Sequence, residues 1–325
     1  MTRSFVNLVI RSHLIQETNP GATQPSFPFM PYLEHIDIWA GLQMSALHKI
    51  ILNISQADLA SQLELDSSAV NRQDRWGRTP LFWAVSRNDC TTVGLLLQWD
   101  ADVHIAADDG SQPLHVAARN GCVNCVSMLL DRGASARCTD LFGGTPLHEL
   151  INAPDGHIEV AALLLSHDVE IDAENVYGHT PLAAAIRKGN RQLTLKLLEH
   201  GADIERRPRD TGQSAIMTAI LWDRPQAVRA LIERGARMDL LNYGGSSVLH
   251  LAAGYGGVEV MNVLTDAHIQ DVDVNGRDIF GWTPLEYFET YRTDYYAGVA
   301  DLDAERPHFE RLLASVQEIW YDCEE

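Results

Sequence analysis

The chain has 325 residues, 46% of them hydrophobic, and carries 25 Lys and Arg against 44 Asp and Glu, a formal net charge of −19 at pH 7. That length and composition can supply a substantial core. The anionic excess argues against duplex nucleic acid or an acidic lipid surface as partner, because phosphate recognition needs clustered cations.

The first 44 residues follow no period. A short apolar stretch from Phe5 to Ile10 is interrupted by Asn7 and closed by Arg11, which is less than the ~7–15 residues of a secretory signal core. Nowhere does an apolar run approach the ~18–20 residues that cross a bilayer. Residues 4–15 read either as a short amphipathic helix or as disordered chain. Pro20-Gly21 and the prolines at 25, 28 and 31 mark a linker without helix. Residues 1–31 are therefore an N-terminal extension, and 32–76 a polar-faced cap with a degenerate first repeat. The five cysteines (Cys90, Cys122, Cys125, Cys138, Cys323) are odd in number and show no framework spacing. A reducing compartment, cytosol or nucleus, is the expectation.

From residue 45 onward the chain repeats itself. Thr79-Pro80-Leu81-Phe82 returns as Gln112-Pro113-Leu114-His115, Thr145-Pro146-Leu147-His148 and Thr180-Pro181-Leu182-Ala183. Weaker copies begin at Ser45, Ser214, Ser247 and Thr283. The second positions of these tetrads lie 34, 33, 33, 35, 34, 33 and 36 residues apart. A Gly stands three residues before most of the second positions (Gly77, Gly110, Gly143, Gly178, Gly212, Gly245, Gly281). It suits a chain reversal just ahead of a helix, and Pro suits the helix's first turn. Each period then predicts a short first helix, a turn, and a second helix with apolar residues at helical spacing, such as Val123, Val126, Leu129 and Leu130. Gly-Ala pairs at 133, 201 and 235 end the second helices.

These copies, with Gly110-Ser-Gln-Pro-Leu-His-Val-Ala-Ala-Arg-Asn-Gly121 and Leu197-Leu-Glu-His-Gly-Ala-Asp203 as the clearest stretches, resemble the ankyrin-repeat family over about residues 45–290. The resemblance implies an all-α solenoid of seven to eight helix–turn–helix repeats joined by projecting hairpin loops, in which neighbours share one core. Residues 77–284 form its body. Three departures stand out. The copy at 146 reaches its Gly156 two positions late, so its turn should bulge. Asp223 replaces the inter-helix glycine of the copy at 215. The copy at 284 has no glycine turn and reads as a C-terminal cap over 285–325, completed by a helix around Pro307–Trp320, with an acidic tail at Asp322–Glu325.

Motifs that carry chemistry are weak. Cys122-Val-Asn-Cys125 offers half of a zinc site or a redox dithiol, but it falls at the start of a second repeat helix and has no second CxxC. His148-Glu149 lacks the second histidine of a metalloprotease helix, since Asn152 stands there. The tetrad histidines 48, 115, 148 and 250 take, by the resemblance, a hydrogen-bonding role along the stack. Arg206-Arg207-Pro208-Arg209 reads as a solvated loop. The chain is accordingly expected to be a non-enzymatic, monomeric scaffold or adaptor that needs no cofactor and binds another protein through a concave face and its hairpin tips. A regulatory or substrate-recruiting subunit of a ubiquitin-ligase or biosynthetic complex is the alternative of the same class. A zinc or thiol-redox protein using Cys122 and Cys125 is the alternative outside it.

The tips supply the candidate binding residues. Aromatic residues precede four of the seven turn glycines, as Trp76, Phe142, Tyr177 and Phe280, while His179 and Trp282 follow theirs. Arg75 and Arg78 flank Trp76. Exposed Trp, Tyr and Phe dominate interface energetics, and arginines beside them suit an acidic partner segment. Packing of tip on tip is the competing account of the same aromatics.

Overall fold

The computed structural model describes residues 41–152, 157–292 and 302–322. The expectations for residues 1–40, for the turn at 153–156 and for 293–301 and 323–325 lie outside them. Among the described residues the regular structure is helical, with no strand. It forms two compact units, one ending at Asp108 and the other beginning at Asp109.

The first unit contains α1 (Ala46–Ile51), α2 (Leu59–Leu65), α3 (Pro80–Ser86) and α4 (Cys90–Gln98), with a 3-10 turn at Ser67–Asn71. Helices this short are marginal alone, so packing carries them. α1 lies against α2 and α3, and α3 against α4. Leu47, Leu63, Leu81 and Leu96 are fully buried between them.

The second unit repeats that arrangement six times. Its first helices are α5 (Pro113–Asn120), α7 (Pro146–Glu149), α9 (Pro181–Lys188), α11 (Ala215–Leu221), α13 (Val248–Tyr255) and α15 (Pro284–Tyr287). Its second helices are α6 (Val123–Asp131), α8 (Ile158–Leu165), α10 (Arg191–Glu199), α12 (Pro225–Ile232), α14 (Val258–Asp266) and α16 (Leu302–Asp322). Each first helix packs on the next first helix, and each second helix on the next second helix, giving two layers. The apolar faces meet between the layers, where Leu114, Leu129, Leu147, Leu164 and Leu182 are buried. α16 occupies the place of a last second helix. It rests on α14 and α13, burying Phe309, Leu312 and Val316, and Phe309 stacks on Phe288 at 4.8 Å.

Helix starts follow the tetrad chemistry. Pro is at the first turn of α3, α5, α7, α9 and α15. Thr79 and Thr180 cap their helices by accepting from the N–H three residues on, each at 3.2 Å. Where the tetrad ends in His, the imidazole takes part as well. Nδ1 of His48, His115, His148 and His250 accepts from the main-chain N–H of the tetrad's first residue at 3.0–3.2 Å. That fixes the proton on Nε2, which donates at 3.0 Å to the carbonyls of Arg78, Gly144, His179 and Trp282 respectively. Each histidine thus ties its own helix start to the next projecting loop. Burial holds the imidazoles of His48, His115 and His148 below their ordinary pKa, against the opposing pull of those carbonyls.

Helix ends depart from the glycine rule in an instructive way. α5 and α9 stop at left-handed Gly121 and Gly189. Asn88 and Asp223 take the same left-handed conformation without glycine, as short polar side chains permit. The Asp223 carboxylate then accepts from Gly257 N–H in the following repeat at 2.8 Å. In Gly254-Tyr255-Gly256 the helix runs through Gly254, and Gly256 is extended. Gly254 is there for space: a Cβ would stand 2.6 Å from the Tyr287 ring of the next repeat.

Candidate functional site

Four projecting loops of the second unit share one construction. An Asp or Asn opens the loop, and its main-chain N–H donates four residues on, as from Asp140 to Gly144 at 2.9 Å, Asn175 to His179 at 3.1 Å and Asp278 to Trp282 at 3.0 Å. The side-chain Oδ1 accepts from two further N–H groups inside the loop: Phe142 and Gly144 for Asp140, Tyr177 and His179 for Asn175, Phe280 and Trp282 for Asp278. A left-handed glycine closes the turn. Successive loops are joined by main-chain bonds, from Leu141 N–H to Asp109 O (3.0 Å), Val176 to Phe142 (2.8 Å), Tyr243 to Thr211 (3.1 Å) and Ile279 to Gly244 (3.0 Å).

With the polar atoms of the loop bonded inward, the two residues after the opening Asp or Asn point outward. They are apolar at three tips: Leu141-Phe142, Val176-Tyr177 and Ile279-Phe280. Leu241 and Tyr243 bracket Asn242 at a fourth. All eight side chains are at least half exposed, from 50% for Leu241 to 74% for Phe280. A scattered exposed leucine is ordinary, but a row of apolar pairs on adjacent loops marks an interaction surface. The tip between the second and fourth is polar, with Arg209, Asp210 and Thr211. Its neighbours hold it in place. Arg206 pairs with Glu174 at 2.7 Å, and Arg207 donates to Gly212 O at 2.6 Å and to Leu241 O while lying over the Tyr243 ring.

The eight residues singled out by sequence divide into two groups. Phe142, Tyr177 and Phe280 are exposed at tips of the second unit, and Arg75 is exposed in the first. Trp76, Arg78, His179 and Trp282 are half-buried. Arg78 lies within 5.0–5.6 Å of the Trp76, Phe82 and Trp83 ring centres, and Trp83 Nε1–H donates to Asp74 at 2.8 Å. Trp282 packs edge-on against Tyr287 at 5.6 Å. The Tyr177 and His179 rings are 6.4 Å apart. Sequence reading missed Leu141, Val176, Ile279, Leu241 and Tyr243. At three tips the signal was present as an Asp or Asn followed by two apolar residues where a solvated turn calls for polar ones; at the fourth it was an Asn between Leu241 and Tyr243.

The other chemical candidates are built into the helices. Cys125 is buried in α6, whose N-cap is the half-buried Cys122. Burial pushes the Cys138 thiol up to about 12, which keeps it protonated and unreactive at neutral pH. No helix of the described residues is long and apolar enough to cross a membrane.

A family model for ankyrin repeats matches residues 47–140, 114–208 and 205–278. Among curated proteins the chain is 30% identical over 210 residues to the mouse B-cell lymphoma 3 protein homolog, a match covering 62% of this chain and 46% of that protein. It is 28% identical over 229 residues to mouse inversin, covering 68% and 21%. The chain thus spans less than half the length of these relatives. Among solved structures, the ankyrin repeat domain of Bcl-3, described as a unique member of the IkappaB protein family, aligns with a TM-score of 0.57 at 26% identity, over 66% of this chain and 95% of that one. The human ASB11 ankyrin repeat domain aligns with a TM-score of 0.59 at 24% identity, over 73% and 98%, a likeness of fold alone.

Proposed function

This chain belongs to the ankyrin-repeat family, and from that premise we propose that it is a non-enzymatic scaffold or adaptor that binds another protein through the tips of its second unit. The row of outward apolar pairs from Leu141-Phe142 to Ile279-Phe280 carries the reading. Truncating these side chains does not disturb the layered core, because their loops are held by main-chain and Asp or Asn bonds. Burying a ring of this kind at an interface centre contributes about 2 kcal/mol or more, roughly thirtyfold in affinity.

The histidines support a binding role over a catalytic one, since both ring nitrogens of all four tetrad imidazoles are engaged in the scaffold. The net charge of −19 favours encounter with a basic or neutral partner surface at the tips. The odd cysteine count fits work in the cytosol or nucleus. Affinity capture with the wild-type chain and with a Phe142→Ala, Tyr177→Ala, Phe280→Ala variant tests the proposal. The variant is expected to keep its helical circular dichroism and urea midpoint and to lose the captured partner. Undiminished capture would remove the tips from the function.

A further inference from the structure

A second surface lies between α10 and the start of α12. Ile186, Leu195 and Ala227 give an open recess its apolar walls, and Arg191 and Arg224 line it as well. The surroundings are cationic in an otherwise acidic protein: Arg187, Lys188, Arg191 and Arg229 are all exposed. Arg224 lies against Gly189, where an added Cβ would meet its guanidinium carbon at 3.0 Å. Its Nη2 donates to Arg187 O at 3.3 Å, and its Nε is buried with no hydrogen-bond partner. The nearby acids make no ion pair with Arg191 or Arg224. Asp223 accepts from Gly257 N–H, Glu259 accepts from Gln226 at 3.4 Å, and Glu199 pairs with Lys196 at 3.5 Å.

Guanidinium groups that make no ion pair among the described residues, set around an apolar recess, complement one kind of occupant. We propose that this pocket docks a segment of a partner protein that presents an apolar side chain flanked by carboxylates. The apolar side chain enters between Ile186, Leu195 and Ala227, and the carboxylates meet Arg191 and Arg224. The guanidinium fork suits a carboxylate in two-point contact. The site is distinct from the tips and selects the opposite charge, so the chain has two docking surfaces of different preference.

The test is fluorescence polarisation of the full chain with a labelled peptide of alternating leucine and glutamate. Its control is the same peptide with lysine in place of glutamate. Arg191→Glu reverses the exposed charge, and Ala227→Phe fills the pocket; each is checked for wild-type circular dichroism and urea midpoint. The acidic peptide is expected to bind the wild type, and each variant to weaken it by about tenfold or more. The lysine peptide is expected not to bind, excess inorganic phosphate not to displace the probe, and a Phe142→Ala, Tyr177→Ala variant to bind it as the wild type does. Absence of binding to the wild type overturns the proposal. So does loss on Arg191→Glu alone or displacement by phosphate, either of which leaves an unspecific anion site. Loss on the tip variant would place the probe at the tips instead.

Discussion

His115 offers the sharpest test of how the repeats hold their tips in place. Its side chain is fully buried. Nδ1 accepts from Gln112 N–H at 3.1 Å, and Nε2 donates to Gly144 O at 3.0 Å. In His115→Ala the part-buried Gln112 N–H loses its acceptor, at about 1–3 kcal/mol. Gly144 O keeps the bond from Asp140 N–H, so its loss is the smaller part. The vacated volume adds a cavity cost, and we expect a total of about 3–5 kcal/mol. Arg119→Ala on the same helix is the internal control. It removes an ion pair to Glu149 in which the arginine is 49% exposed, and it should cost less than about 1 kcal/mol. Urea titrations of both variants followed by circular dichroism measure the difference. A cost below about 1 kcal/mol for His115→Ala would refute the claim that the histidines couple each helix start to the next loop.

Further predictions follow from the same geometry. His48, His115 and His148 have folded pKa values below that of the unfolded chain, so the unfolded state binds more protons between the two values. Stability should be fully present above about pH 6.5 and fall as pH drops below it, which urea midpoints at pH 7.5 and about pH 5.5 will show. Gly110→Ala would put a Cβ 2.6 Å from Leu141 N in a left-handed residue, whereas Gly133→Ala meets nothing within 4 Å. Both pay the left-handed penalty of about 1–2 kcal/mol, but Gly110→Ala should cost clearly more and weaken the Leu141-Phe142 tip. Removing residues 285–325 takes α16 away from α14 and bares the layer holding Val260 and Leu264. The fragment is expected to aggregate, as judged by light scattering, and a soluble, fully helical product would contradict a capping role.

The repeat period and the role of each tetrad were legible because they are local. Pro at a first turn, Thr at a cap and Gly in a reversed turn each answer to backbone chemistry within a few residues. What the period does not carry is the neighbour one repeat away. Even within one loop the period leaves the partner open: Trp76 and Phe142 hold the same place before a turn glycine, yet Arg78 lies over Trp76 while Phe142 is 58% exposed. Gly254 inside its helix answers to Tyr287 of the following repeat. Asp223 stands where other copies carry an inter-helix glycine, and like Asn88 it turns the chain because a short polar side chain tolerates the left-handed region. The Arg224 pocket was invisible for the same reason, as it needs Ile186 and Ala227 brought together across two repeats.

A partner protein held by the tips of the second unit would lie within crosslinking reach of them. Photo-crosslinking measures this directly, with benzoylphenylalanine placed in turn at Phe142, Tyr177 and Phe280 and, as control, at Leu65, which is 82% exposed on the first unit. One and the same crosslinked protein is expected from all three tip positions and none from Leu65. Crosslinks from Leu65 alone, or none from the tips in a mixture where the wild-type chain captures its partner, would contradict it.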